Sequence, residues 1–226
     1  LWVYGGWKIY ICGSKVIYDH LNAAYRKSGL REFDVWFMSR VYERPFEVAY
    51  IENEADMPEV RRSASAVGRH LGGCRIGFDA GGSDRKVSAV IDGESVYSEE
   101  VVWHPKTQSD PEYHYSGIME AFRTAASKLP RVDGIGVSTA GVLIDNRVMV
   151  ASLFVKVNDE DFERHVKNIY LDAAKELGEN IPIEVANDGD VTALAGAMDL
   201  NDNGVLGIAM GTSEAGGYVD MHGNIT

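Results

Sequence analysis

The sequence predicts an α/β protein built on a mixed sheet with flanking helices, and three observations carry that prediction. A strand–glycine turn–strand unit occurs twice, at residues 75–91 and again at residues 204–220. Between the two copies, runs of period-two alternation give way to apolar residues at helical spacing and back again. Finally, the strands from Cys74 to Trp103 follow one another through tight turns as an antiparallel meander, whereas Asp133 to Ser138 follows a helix and closes a parallel connection.

At 226 residues the chain can hold one large domain or two small ones with ample core. Its formal net charge of −12 argues against a nucleic-acid surface and supplies no basic patch for an anionic membrane. The charge is uneven: residues 1–72 sum to +1 and residues 73–226 to −13, which puts the expected domain boundary near Gly72. Cys12 and Cys74 have neither metal-ligand nor disulfide spacing, as expected in a reducing cytoplasm. No apolar run approaches membrane-spanning length, and Leu1-Trp2-Val3-Tyr4 is unlike a signal peptide. Because the first residue is Leu, the natural start is expected to lie upstream.

Residues 1–72 read as a small α+β segment with a linker helix. Lys8 to Cys12 is a strand, and Val16, Ile17, Leu21, Ala24 and Tyr25 then fall at helical spacing before Gly29. Phe33 to Val41 and Phe46 to Ile51 read as two further strands. Asp56-Met57-Pro58-Glu59 has the form of a capping box and predicts a linker helix that runs to Leu71 and stops at Gly72-Gly73. No function is legible in this segment.

From Cys74 two strands joined at Asp92-Gly93 lead into a third, Ser95 to Trp103. A loop of turn formers runs from His104 to Pro111. Its His104 and Asp110, with the nearby Glu112 and His114, fit no metal-ligand spacing. Tyr115 to Leu129 is an amphipathic helix with Ile118, Ala121, Phe122, Ala125 and Leu129 on one face. Ile144 to Val148 is a short hairpin, Asp159 to Leu177 a second helix, Ile181 to Ala186 a strand, and Asn187 opens a helix of small residues.

Chemistry concentrates at the turns. Gly81 and Gly82 let main-chain N–H groups converge with no Cβ in the way, a cradle suited to phosphate oxygens. The chain leaves this turn as a strand, Lys86 to Ile91, not as the helix of a Walker loop. A plain hairpin turn is the other reading the residues allow. Gly211-Thr212-Ser213-Glu214-Ala215-Gly216-Gly217 again reads as a turn between strands, and two such turns suggest two phosphate loops facing one cleft. Asn187-Asp188, at a strand-to-helix junction, suits an N-cap. It equally suits a carboxylate that takes a proton from a hydroxyl beside an orienting amide. Lys86 could face either phosphate or solvent.

In this order the motifs resemble the ROK family (repressors, open reading frames and kinases) of the sugar kinase, Hsp70 and actin superfold. Asp79-Ala80-Gly81-Gly82-Ser83 is similar to the family's first phosphate motif, Asp-x-Gly-Gly-Thr. Residues 211–217 are similar to the second, Gly-Thr-Gly-x-Gly-Gly-Gly, with Glu214 inside the cluster. Ser138-Thr139-Ala140-Gly141 resembles the Gly-x-Pro-Gly loop, with Ala140 in place of proline. Asn187-Asp188 resembles the active-site Asn-Asp pair, preceded by Ala186 where the family usually has Glu.

The resemblance implies a ribonuclease-H-like fold of the actin-like ATPase and sugar kinase type, and ATP-dependent phosphorylation of a sugar hydroxyl with Mg2+. It implies Asp188 as the general base, and Asn187, Ser138, Thr139 and Gly141 as sugar-binding residues. Asp79, Gly81, Gly82, Ser83, Gly211, Thr212 and Ser213 are implied as nucleotide-binding residues, Asp79 also holding Mg2+ through water. A sugar is the expected partner, nucleic acid and membrane are not, and a homodimer is left open. The likeness covers about residues 74–226 and stops just past the second hairpin, at His222-Gly223-Asn224. The lobe that grips adenosine and carries the family's zinc cysteines is expected beyond Thr226. Two other functions stay open: a sugar-binding regulator without catalysis, and another ATPase of the actin-like superfold that needs no sugar.

Overall fold

The chain forms two units, Leu1–Arg62 and Ser63–Thr226, in a computed structural model that describes residues 1–2, 5–59, 67–210 and 214–225. In the first unit, β1 (Lys8–Cys12) pairs in parallel with β2 (Glu47–Ile51), and α1 (Lys15–Ala24) and α2 (Glu32–Tyr42) connect them. Ser14 caps α1, its hydroxyl oxygen accepting from the Ile17 N–H at 3.4 Å.

Helix α2 occupies the stretch expected as a strand from Phe33 to Val41. The alternation of Phe33, Val35 and Phe37 satisfies period two, but helical spacing also brings Phe33 and Phe37 together, their ring centroids 5.7 Å apart. Glu32 and Asp34 in the first turn and Arg40 in the last suit the helix dipole, and Glu43, at φ 53°, ends the helix in the left-handed conformation. Asp34 is buried and accepts hydrogen bonds from Trp2 Nε1 and Arg31.

The linker helix expected from Asp56 to Leu71 is not formed in its described residues. A 3-10 turn covers only Glu54–Asp56, Met57 is extended ahead of Pro58, and Gly68 and Arg69 take φ of 79° and 61°. Residues 60–66 lie outside the described residues. A capping signal nucleates a helix only where an apolar stripe follows to stabilise it, and proline disfavours helical backbone in the residue before it.

The second unit is built on a five-stranded sheet of β3 (Cys74–Ala80), β4 (Asp84–Ile91), β5 (Glu94–Val102), β6 (Gly134–Thr139) and β9 (Ile183–Asn187). Their order is β5-β4-β3-β6-β9. The first three are antiparallel neighbours, and β3, β6 and β9 run parallel, the mixed arrangement of a ribonuclease-H-like sheet. A tight turn joins β4 to β5 through Asp92 and Gly93, at φ of 50° and 89°.

Ile76, Phe78, Val87, Ala89, Val137 and Val185 point from the sheet into the main core. Helix α3 (Pro111–Ala126) covers them, with Ile118 and Phe122 fully buried and Phe122 edge-on to Phe78 at 5.5 Å. Burial of each such side chain stabilises the fold by about 2 kcal/mol. Helix α3 starts a turn before the expected Tyr115, because Asp110 caps it and Pro111 fills its first position. The single helix expected over Asp159 to Leu177 is instead α4 (Asp159–Asp161), a wide π turn at Phe162–Val166, and α5 (Ile169–Leu177). The wide turn carries Phe162 and Val166 into the core beside Ile169 and Tyr170.

Strands β7 (Val142–Ile144) and β8 (Arg147–Val150) form the short hairpin. Asn146 in its turn donates from Nδ2 to the Ile183 carbonyl at 3.1 Å and accepts at Oδ1 from the Val185 N–H at 2.7 Å. Its amide thus stands in for a strand along the outer edge of β9.

Helix α6 (Asp188–Leu200) follows β9 and packs on a separate hairpin of β10 (Val205–Met210) and β11 (Glu214–Val219). The second glycine turn expected over residues 211–217 is therefore shorter. Glu214 pairs with Met210 and Gly217 with Gly207 within the ladder, while Gly211, Thr212 and Ser213 lie outside the described residues. The glycines serve contact with α6: a Cβ on Gly217 would lie 2.4 Å from Asp190 Cα, and one on Gly207 2.3 Å from the Ala193 nitrogen. Neighbouring Gly216 has room, its nearest atom being the Gly207 oxygen at 3.8 Å. No described helix is long and apolar enough to cross a membrane.

Gly217→Ala should therefore destabilise the protein by about 1–3 kcal/mol through overpacking, and Gly216→Ala by less than ~0.5 kcal/mol. Urea unfolding of the two variants beside the parent checks this; equal effects would contradict the packing role of Gly217.

Candidate active site

Three parallel strands end side by side, and each runs into a loop that carries candidate residues. Asp79 pairs in register with Ser138 and Ser138 with Ala186; one step on, Ala80, Thr139 and Asn187 form the next row. The turn 81–83, the loop 140–141 and the start of α6 therefore leave the sheet at one edge, where open α/β sheets bind ligands. Because strand side chains alternate, Asp79 and Ser138 lie on the face opposite Phe78 and the core.

Neither Gly81 nor Gly82 has a left-handed φ, so close approach explains the first glycine better than backbone twist does. A Cβ on Gly81 would lie 2.6 Å from the Asp84 carbonyl oxygen. Ser83 is exposed and donates to Asp84 at 3.2 Å. Lys86 is bound to Asp84, whose hydrogen bond raises the lysine pKa and is itself the main cause that lowers the Asp84 pKa. Glu100 and Asp79, its cross-strand neighbours, add to the negative field around Lys86. That lysine is committed to carboxylates.

The turn is held from outside by Trp103, which is buried. Its main-chain N–H donates to the Ser83 carbonyl at 3.1 Å and its indole Nε1 to the Gly81 carbonyl at 2.8 Å. The sequence singled out no role for Trp103, since a tryptophan at a strand end before His-Pro looks like any edge of the core.

Asn187 is the N-cap of α6: its Oδ1 accepts from the Gly189 N–H at 2.9 Å. Its Nδ2 also donates to the Gly141 carbonyl at 2.9 Å, tying the loop after β6 to the end of β9. Gly141 takes φ 119°, and a Cβ there would lie 2.3 Å from the Val150 carbonyl oxygen. Thr139 is 1% exposed, turned into the core with its hydroxyl accepting from Tyr170 at 3.0 Å. Ser138 lies on the open face.

Asp188 is half-buried in the first turn of α6, and its Oδ1 accepts from the Gly189 N–H at 3.1 Å. Two residues on, burial and then the Asp188 charge raise the Asp190 pKa to about 6. In the sequence Asp190 is one more acid in a first helical turn, and only its burial makes it unusual.

His114 is fully buried, its ring edge-on to Phe154 at 4.8 Å and near Trp103 and Tyr113, with no hydrogen-bond partner for either nitrogen among the described residues. Burial lowers its pKa, against the opposing pull of the Gln108 main chain and Asp110. Among the described residues, no three His, Cys, Asp or Glu side chains gather as a metal site.

The fold matches that of solved sugar kinases. An inorganic polyphosphate/ATP-glucomannokinase from Arthrobacter sp. strain KM is 21% identical over 67% of this chain and 60% of its own, with a TM-score of 0.53. The ROK hexokinase from Thermus thermophilus is 20% identical over 68% of this chain and 48% of its own, with a TM-score of 0.51. The chain shares its fold with these kinases. At these identities the likeness concerns the fold, and the chain spans about half to three-fifths of the length of these kinases. No protein-family model and no curated protein matches the sequence. On the sugar-kinase fold, the three strand ends described above form the candidate site.

Asp190 makes stability depend on pH in a stated direction. Between about pH 4, the unfolded value, and about pH 6, the folded chain holds a proton that the unfolded chain has released. Stability from this group is therefore present below about pH 4 and lost as pH rises through 6. Asp190→Asn should be more stable than the parent by ~2 kcal/mol at pH 7 and equal to it near pH 4. Chemical unfolding across pH 4–8 tests this, and a constant difference would contradict it.

Proposed function

We propose that the protein transfers a phosphoryl group from ATP to a hydroxyl of a sugar. The observation that supports this reading is the gathering, at one edge of a sugar-kinase fold, of the Gly81–Ser83 turn, the Ser138–Gly141 loop and Asp188. Asp188 takes the proton of the sugar hydroxyl as that oxygen bonds to phosphorus and the bond to the departing diphosphate oxygen breaks. One Asp188 oxygen is anchored at Gly189, and the other has no partner among the described residues. Ser138 offers a hydroxyl on the open face, and Asn187 keeps one amide hydrogen for the sugar after holding α6 and Gly141. Thr139 and Gly141 act through loop shape, the first anchored to Tyr170 and the second to Asn187.

Asp79 makes no ion pair among the described residues, since Lys86 is bound to Asp84. A half-buried carboxylate beside a serine hydroxyl is the oxygen donor set that Mg2+ accepts while keeping most of its waters. When bound, the ion neutralises phosphate charge. Gly81, Gly82 and Ser83 receive the phosphates in this reading, with Gly211, Thr212 and Ser213 proposed as their counterparts. A cytoplasmic setting, where ATP is plentiful, goes with the proposal.

Asp188→Asn keeps an oxygen at the helix start, so its melting temperature should stay near the parent's while sugar phosphorylation slows at least ~10²-fold. Steady-state kinetics of the full polypeptide with a panel of sugars measures it. A variant that turns over at the parent rate removes Asp188 as the base.

A further inference from the structure

Lys106 sits in the 3-10 turn Pro105–Thr107 just after β5, and nothing in its sequence context marks it. Its side chain runs back over the glycine turn. A Cβ built on Gly82 would lie 3.0 Å from Lys106 Cε and 3.1 Å from its Nζ. Trp103 sets this placement, because its two hydrogen bonds fasten the corner 103–106 to Gly81 and Ser83, on either side of Gly82. Bonds from the Thr107 N–H and hydroxyl to the His104 carbonyl, and from the Gln108 N–H to the Pro105 carbonyl, close the turn that carries Lys106.

Two further observations at this place point to an anion. The main-chain N–H groups of Gly82 and Ser83 find no acceptor among the described residues. The Lys106 ammonium likewise has no ion pair or hydrogen bond among them, whereas Lys86, which follows the glycine turn in sequence, is bound to Asp84 and flanked by Asp79 and Glu100. Main-chain donors without acceptors beside an unpaired cation suit an anion, and a lysine serves such a site as a mobile point charge.

We propose that Lys106 is the phosphate-binding cation of the glycine turn and contacts the terminal phosphoryl group of the triphosphate donor. The inference rests on the kinase reading for the identity of the donor, but the phosphate site itself can be tested without sugar. Lys106→Met keeps the aliphatic stem over Gly82 and removes the charge, so a purely packing role predicts no effect.

The experiment uses the full polypeptide as parent, Lys106→Met, Lys106→Arg and Lys86→Met. Calorimetric titration is done with inorganic tripolyphosphate and with ATP, both in Mg2+, beside steady-state kinetics. Lys106→Met should weaken tripolyphosphate binding by about tenfold or more and raise the KM for ATP, with an unchanged melting temperature and unchanged sugar binding. Lys106→Arg should keep most of the affinity, and Lys86→Met should lose less than Lys106→Met. Parent-like tripolyphosphate binding by Lys106→Met, or a larger loss in Lys86→Met, would overturn the inference. If the parent phosphorylates a sugar and Lys106→Met matches it in binding and KM, this inference fails and the kinase reading stands. If tripolyphosphate binding is lost in Lys106→Met yet the parent phosphorylates no sugar, the phosphate site stands and the kinase reading fails. A parent that binds neither ligand overturns both.

Discussion

Strand β3 has an antiparallel partner on one side and a parallel partner on the other, and the geometry of the site depends on that mixed pairing. The antiparallel side forces a tight turn at residues 81–83, so the glycines stay close to the sheet. The parallel side aligns the end of β3 with those of β6 and β9, which makes Asp79, Ser138 and the start of α6 neighbours although more than a hundred residues separate the first from the last. A wholly antiparallel sheet would send successive strand ends to opposite edges.

Helix α6 links this site to the next element. Its first turn carries Asn187, Asp188 and Asp190, and its body presents Ala193 and Ala197 to the β10–β11 hairpin. Main chain approaches main chain there, at Gly189 against Gly216, Gly207 against Ala193, and Gly217 against Asp190. The same contact that seats the hairpin helps to bury Asp190, and burial with the neighbouring Asp188 charge raises its pKa to about 6. Small residues along α6 are thus a packing requirement with an electrostatic consequence at its N-terminus.

Much of the second unit was legible in the sequence. The β3–β4–β5 meander, the β7–β8 hairpin, the strand before Asn187 and the amphipathic face of α3 follow from periodicity and turn chemistry over a few residues. The failures are equally physical. Phe33 to Val41 satisfies periods of two and of nearly four at once, and the aromatic contacts of α2 decide between them. The capping box at Asp56 signals a helix start, but start signals do not supply an apolar face. Glu214 to Gly217 looked like a turn because glycine is rare inside strands, and the helix that requires glycine there lies some 25 residues upstream.

The sequence by itself determined where the chain turns, which stretches of the second unit alternate, and that carboxylates and glycines stand at strand ends. These are properties of neighbouring residues, set by backbone sterics and side-chain period. Only the tertiary structure decided which groups are free. Lys86 is engaged by Asp84, Thr139 by Tyr170 and Asn187 by Gly141, while Lys106 reaches Gly82 from beyond the next two strands. Partnership is a matter of distance in space, which local pattern does not encode, so the residue types at the site could be read from the chain but their availability could not.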